Sequence, residues 1–193
     1  TAACGACPQL GSDDEADLSR NIWKRKKEAF SKVDPEQLHI VSPSRWLAEE
    51  ARGSTLLESF PVSVIPNSLD PDRFSPRPQQ TVRTALGLPH DRAIVLFVAD
   101  SAINRRKGFP LLRDALSDLS EPLLLSIGSG EPTMETTDRH LHLGRLSSDR
   151  LLAAAYSAAD IFVMPSLQEN VGQTALEAMS CGTPVVGFDT GGI

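Results

Sequence analysis

Two glutamates stand eight positions apart in the stretch Pro165-Ser166-Leu167-Gln168-Glu169-Asn170-Val171-Gly172-Gln173-Thr174-Ala175-Leu176-Glu177. An apolar, strand-like run at 161–164 precedes them and a helix-like run at 172–180 follows. Glu169 then stands at a strand tip and Glu177 between one and two turns into a helix, so both carboxylates can face one cleft. A carboxylate accepts two hydrogen bonds at once and matches the vicinal diol of a ribose or a hexose. Between the two acids, the N–H groups of Val171, Gly172 and Gln173 open a helix and suit a phosphate, with Gly172 permitting close approach. One carboxylate per sugar with a phosphate between them describes a sugar nucleotide.

A second cluster, Asn104-Arg105-Arg106-Lys107-Gly108-Phe109, falls after a different strand-like run and just before a helix. Two carboxylates could equally be the acid and nucleophile of a glycosidase, and their spacing alone does not exclude it. A hydrolase acting on a neutral glycan, however, needs neither a phosphate-ready helix start nor a cationic loop at another strand tip. Gly128-Ser129-Gly130, after a further strand, allows close backbone approach but lacks the spacing of a dinucleotide fingerprint.

These residues must be positioned by alternating strands and helices. From residue 81 the pattern reads helix 82–86, strand 93–99, helix 110–119, strand 123–127, short strand 141–143, helix 149–159, strand 161–164, helix 172–180 and strand 185–188. The strand runs carry no polar alternation, so both of their faces are covered, and this marks a parallel sheet built of β-α units. Ligands of such sheets bind at the carboxyl ends of the strands, where both clusters fall. Upstream, a strand at 38–41, a helix at 44–52 and a strand at 62–65 form part of a second Rossmann-like unit. Ser42 or Ser44 can cap that helix and Gly53 ends it. Four prolines crowd 66–78, so residues 1–63 are expected as the remnant of one domain, 64–80 as a linker and 81–193 as a truncated second domain.

Composition narrows the partners. A net charge of −6, with 19 basic against 25 acidic residues, gives no attraction to nucleic acid. The run Lys24-Arg25-Lys26-Lys27 reads as the solvated face of a helix. The longest apolar run, 93–99, is strand-sized and too short to span a bilayer. Three cysteines, with two residues between Cys4 and Cys7 in Cys4-Gly5-Ala6-Cys7-Pro8, do not make a disulfide framework and fit a reducing cytoplasm. Cys4 and Cys7 could be half of a zinc site or redox-active, but the favoured reading is a loop remnant whose partners lay upstream. Cys181 reads as a small buried side chain. His39, His90, His140 and His142 show neither ligand nor triad spacing and read as surface or strand-edge imidazoles.

The stretch from Glu169 through Glu177 and on into Ala178-Met179-Ser180-Cys181-Gly182-Thr183-Pro184-Val185-Val186 resembles the Glu-x7-Glu signature of retaining GT-B glycosyltransferases of family 4, the glycosyl transferases group 1. The resemblance extends over about 38–193, including Ser42-Pro43-Ser44-Arg45-Trp46-Leu47 and Val64-Ile65-Pro66-Asn67-Ser68-Leu69-Asp70. It implies a GT-B α/β fold: a Rossmann-like nucleotide-sugar donor domain plus part of a second. The activity it implies is transfer of a hexosyl unit from a nucleoside diphosphate sugar, with retention, to a glycan or lipid-linked acceptor in polysaccharide biosynthesis. Glu169 then contacts the transferred sugar and Glu177 the donor ribose, with Asn170, Val171, Gly172 and Gln173 between them on the donor. Lys107 and Arg106 hold the diphosphate, Gly128 lies close to the donor, and Gly144, Arg145 and Leu146 face the base.

The family's common Gly-Arg after the first strand is absent here, replaced by Ala99-Asp100-Ser101. The Arg-Lys-Gly-Phe variant with an upstream Cys-x-x-Cys-Pro looks like an exopolysaccharide-forming subgroup. No metal or other cofactor is expected. Asp70-Pro71-Asp72 imitates an Asp-x-Asp metal site but lies in the linker with proline in its middle. The resemblance further implies a cytoplasmic protein, with contact to the inner face of a membrane left to segments beyond this chain. The fragment alone is expected to be inactive. A silent nucleotide-sugar-binding module and a GT-B sugar-nucleotide 2-epimerase are the rival readings.

Overall fold

A computed structural model describes residues 4–130, 132 and 137–193 of the chain. Residues 1–3 of the expected first domain lie outside the described set. The chain divides into two compact units, the first running up to Pro66 and the second over Asn67–Gly191.

In the first unit, β1 (Ile40–Ser42) pairs in parallel with β2 (Val62–Val64), Ile40 opposite Val62. Helix α2 (Arg45–Arg52) connects them, and the Ser44 hydroxyl caps it by accepting from the Leu47 amide at 3.1 Å. The longer α1 (Leu18–Phe30) is capped by Asp17, which accepts from the Arg20 amide at 3.0 Å. Phe30 and Phe60 meet edge to face at 5.9 Å. The basic run of α1 is exposed, and Arg20 and Lys27 each lie 5.1 Å from the Trp23 ring.

The second unit is a five-stranded parallel sheet in the order β5-β4-β3-β6-β7. Its strands are β3 (Ile94–Ser101), β4 (Leu123–Ser129), β5 (His140–His142), β6 (Ile161–Met164) and β7 (Val185–Gly187). Its helices are α3 (Gln79–Leu86), α4 (Phe109–Ser117), α5 (Asp149–Ala158) and α6 (Gln173–Ser180). Successive side chains of a strand point to opposite faces, and both faces are apolar. Ile94 and Leu96 pack with α5 and α6, while Val95, Phe97 and Leu124 pack with Phe109 and Leu112 of α4. This covering of both faces is why the strands read as unbroken apolar runs.

The sheet is tied to its helices by one buried cation. Arg83, 3% exposed, donates to the Ala158 carbonyl at 2.9 Å, the Arg92 carbonyl at 3.2 Å and Asp160 Oδ2 at 2.7 Å. Asp160 in turn accepts from the Ile94 amide at 2.7 Å, so one ion pair joins α3, the end of α5 and the first residue of β3.

The segment expected as a linker behaves differently along its length. From Asn67 onward it belongs to the second unit. Phe74 is in the apolar core, edge-on to Tyr156 at 6.4 Å, and its carbonyl accepts from the Ser180 hydroxyl. The prolines deny this stretch regular structure, but they do not prevent burial. Asp70 Oδ1 accepts from the Asp72 and Arg73 amides, so the Asp-Pro-Asp sequence closes a turn.

Candidate functional site

A cavity of about 620 Å³ opens at the carboxyl ends of β3 and β4 and against the start of α6. Strand β3 runs two residues beyond its expected end, with a register irregularity between Val98 and Ser101, and this carries Asp100 and Ser101 to the rim. Gly128, from β4, forms the floor beside them. Arg145 and Leu146 enter from the segment after β5, and Gln173, Thr174 and Glu177 from α6. The segment after β5 is anchored where it leaves the strand: the Gly128 amide donates to the Gly144 carbonyl at 3.0 Å.

Glu177 is held from behind. The Tyr156 hydroxyl, on α5, donates to Glu177 Oε2 at 2.8 Å. Burial raises the carboxyl pKa of Glu177 above its ordinary value, the Tyr156 hydrogen bond opposes this, and the Asp149 carboxylate adds to it. Burial, reinforced by the negative charge of Glu177, pushes the Tyr156 phenol well above its usual value, so it remains the donor. The Gln173 Oε1 atom is buried and the only such side-chain oxygen or nitrogen among the described residues without a hydrogen-bond partner, although its Nε2 reaches the Ser68 carbonyl at 3.4 Å.

The second cluster forms beside this cavity at the tips of β3 and β6. Lys107 Nζ donates to Glu169 Oε2 at 2.8 Å, with side chains only 18% and 12% exposed, and the buried Ser166 hydroxyl donates to the same oxygen at 3.3 Å. Arg106 lies 4.0 Å from Glu169 Oε1 and donates to the Gln168 carbonyl at 3.0 Å, while the Leu167 amide donates to the Arg106 carbonyl at 2.9 Å. Two loops from different strands are thus stitched by backbone and side chain alike. The stitching depends on Gly108, whose φ of +73° is open to glycine and whose missing Cβ would stand 1.8 Å from the Pro165 carbonyl oxygen. A second glycine presses on the other end of the same turn: a Cβ on Gly191 would stand 2.0 Å from the Glu169 carbonyl oxygen.

The expected site residues therefore fall into two groups. Glu177, Gln173, Gly128, Arg145 and Leu146 line the cavity, whereas Glu169, Lys107 and Arg106 form the neighbouring ion cluster. Asn170, Val171, Gly172 and Gly144 lie in the connecting segments and do not line the cavity. The Gln173 amide donates to the Val171 carbonyl at 2.8 Å in a tight turn just before α6. Arg105 is exposed. Sequence reasoning missed Tyr156, Thr174, Asp100 and Ser101. A usable signal existed for Tyr156, because a tyrosine inside an apolar helix stripe must bury its hydroxyl against a partner.

The remaining candidates lie elsewhere. His140 Nε2 and His142 Nδ1 both bond the buried Ser126 hydroxyl, at 2.7 and 2.8 Å, from the edge strand β5. Cys4, Cys7 and Cys181 carry free thiols, and burial pushes that of Cys181 up. Among the described residues no group of three or more His, Cys, Asp or Glu side chains is arranged to hold a metal ion, and no helix is long and apolar enough to cross a membrane.

Comparison with known proteins agrees with this architecture. Residues 92–193 match the family described as glycosyl transferases group 1. A D-inositol 3-phosphate glycosyltransferase of Catenulispora acidiphila is 35% identical over 153 residues, which is 68% of this chain and 35% of that protein. A 2-deoxystreptamine glucosyltransferase of Streptomyces kanamyceticus is 30% identical over 195 residues, 85% of this chain and 50% of that protein. The chain thus spans half or less of the length of these relatives. Among solved structures, a sucrose-phosphate synthase from Thermosynechococcus elongatus superposes with a TM-score of 0.76 at 28% identity, over 97% of this chain and 47% of that one. Anabaena HepE in complex with UDP-glucose superposes with a TM-score of 0.64 at 22% identity, over 79% of this chain and 45% of that one. The fold is Rossmann-like α/β with parallel sheets, shared with GT-B glycosyltransferases. On the match of residues 92–193, the chain belongs to the glycosyl transferases group 1 family.

Proposed function

We propose that the second unit binds a nucleoside diphosphate sugar and that the whole protein transfers its hexosyl group, with retention, to a glycan or lipid-linked acceptor. The observation that carries this reading is the cavity at the ends of β3 and β4, with the Glu177 carboxylate on its wall and the Arg106–Lys107–Glu169 cluster beside it. Glu177, steadied by Tyr156, suits the two hydroxyls of a ribose. Leu146 and Leu152 offer an apolar wall to a base. Anabaena HepE, a fold relative, is known in complex with UDP-glucose, which supports a nucleotide sugar as the ligand class.

In the reaction the bond from the anomeric carbon to the diphosphate oxygen breaks, and its electron pair leaves with the diphosphate. The acceptor hydroxyl oxygen bonds to the same carbon on the same face, and its proton passes to the departing diphosphate. Lys107 and Arg106 oppose the charge that develops on the leaving group, where fixed cations lower a barrier most. Glu169 orients the sugar. Lys107 is paired with Glu169, so donor binding shares this cation between carboxylate and phosphate.

The test is calorimetric titration of the chain with UDP, GDP, ADP and their hexose conjugates, with a chelator present, repeated on Glu177→Ala. Binding of one diphosphate, weakened about tenfold or more by the substitution, supports the reading. A folded chain that binds none of them refutes it. Retention is read from the anomeric configuration of the product made by the full-length enzyme.

A further inference from the structure

The chain has a single tyrosine. Tyr156 is fully buried, edge-on to Phe162 at 5.6 Å and to Phe74 at 6.4 Å, so its ring is held in one orientation. Its backbone carbonyl is fixed as well, accepting from the Thr183 hydroxyl at 2.7 Å. A phenol held this firmly places its hydroxyl at one point, and at that point Glu177 Oε2 lies 2.8 Å away.

We infer that Tyr156 is a positioning residue of the donor pocket: its hydroxyl occupies Glu177 Oε2, fixes the carboxylate rotamer and leaves Oε1 to bind a donor hydroxyl. The inference rests on the proposed donor reading for the identity of the ligand, but the pairing of the two side chains stands without it. A free glutamate at this place would sample several rotamers and could turn towards solvent. Ordering it before the ligand arrives removes that entropic cost from binding.

The hydroxyl also affects ionisation. Glu177 is faced by Tyr156 and Asp149 of α5, by Cys181 of its own helix, and across the cavity by Arg145 and Asp100; Arg77 acts on Cys181. Burial and the Asp149 charge favour the neutral acid, and the Tyr156 hydrogen bond is the contact that favours the carboxylate. Removal of the hydroxyl therefore moves the Glu177 pKa further up. A binding step that needs the carboxylate then fails at a higher pH than in the natural chain.

The decisive variant is Tyr156→Phe, which keeps the ring and its packing. With whichever of UDP, GDP or ADP the natural chain binds, affinity is expected to fall about tenfold at the acid end of a pH series, and by less at its alkaline end, where the carboxylate form of Glu177 is favoured even without the hydroxyl. Glu177→Gln, which cannot ionise, is expected to show weak binding with the pH dependence of this step gone. A purely structural role for the tyrosine would give the same loss at both ends of the series, and no loss at either would dismiss the hydroxyl altogether; each result overturns the inference.

A second measurement does not depend on that variant folding or on nucleotide binding. Because the tyrosine is unique, growth on 3-fluorotyrosine puts fluorine at position 156 alone. Its resonance is expected to titrate with Glu177 in the natural chain and to lose that step in Glu177→Gln. A fluorine resonance blind to Glu177 overturns the pairing, whereas a chain that shows the titration but binds no nucleotide refutes the donor reading and leaves the pairing intact.

Discussion

Gly108→Ala isolates the collision that keeps the two loops of the ion cluster together. The substituted Cβ would stand 1.8 Å from the Pro165 carbonyl oxygen. Carbon and a carbonyl oxygen ordinarily touch at roughly 3.3 Å, so the loop must retreat by about 1.5 Å. A retreat of that size breaks the bond from the Leu167 amide to the Arg106 carbonyl and pulls Lys107 beyond reach of Glu169. Forcing a non-glycine residue to φ +73° costs about 1–2 kcal/mol, and the lost hydrogen bonds about 1–2 more. The matched control is Gly87→Ala. Gly87 has φ +66° at the end of α3 and nothing within 4 Å of its would-be Cβ, so it bears only the same conformational cost of about 1–2 kcal/mol. Urea unfolding followed by circular dichroism should find Gly108→Ala the more destabilised by about 1–2 kcal/mol. Displacements near 1 Å at a reacting centre commonly cost about 100-fold, so the proposed transfer activity, assayed on the full-length protein, should fall by at least that much for Gly108→Ala and hardly at all for Gly87→Ala. Equal destabilisation by the two substitutions would refute the argument, because it would mean that the loop yields without breaking its ties.

Arg83→Met leaves the Asp160 carboxylate and the Ala158 and Arg92 carbonyls without their buried donor, and thermal or urea unfolding should show a loss of about 2–4 kcal/mol, the exposed side of Asp160 limiting the cost. Asp17, bonded by the Ser19 hydroxyl and the Cys7 and Arg20 amides, has its pKa held down to about 2. A depressed acid contributes stability that is present above its unfolded pKa and is lost as pH falls through its folded one. Acid unfolding of the first unit should therefore steepen as pH drops from about 4 towards 2, and Asp17→Asn, which keeps a capping oxygen, should flatten that window. Ser44→Ala removes the cap of α2 and should cost about 1 kcal/mol, read as a lower urea midpoint.

The fold was legible in the sequence because the central strands β3 and β4 of the larger sheet are buried on both faces and so announce themselves as apolar runs. Strand β6 falls on its expected residues, and α2 starts one residue after the cap that Ser44 supplies. Strand β3 outran its expectation because the register irregularity near Ala99 continues the pairing through Asp100 and Ser101, residues whose polarity reads as a loop. Phe74 was hidden among prolines, since an irregular segment can be buried through one side chain without showing a period. The residues of the site could be named because carboxylates and cations at strand tips carry chemistry in their types. Their partners could not: that Lys107 meets Glu169 and Tyr156 meets Glu177 depends on which strands neighbour one another, and the strand order is not written in local pattern. The bond from the Gln173 amide to the Val171 carbonyl is likewise a matter of turn geometry, invisible in a string of side chains.

Gly108 and Gly191 touch opposite ends of the same short turn, one at Pro165 and the other at Glu169. Three stretches of chain that are distant in sequence are therefore fitted to one another at backbone distance, where no rotamer can absorb a mismatch. A recombined protein that borrows only one of these loops from a relative inherits a misfit at the Pro165 carbonyl, the Glu169 carbonyl or both. An insertion of a single residue in any of the three has the same effect. The segments around 104–108, 165–169 and 189–191 should travel together when this domain is swapped into another member of the family, whereas the lengths of surface turns remote from them can change freely.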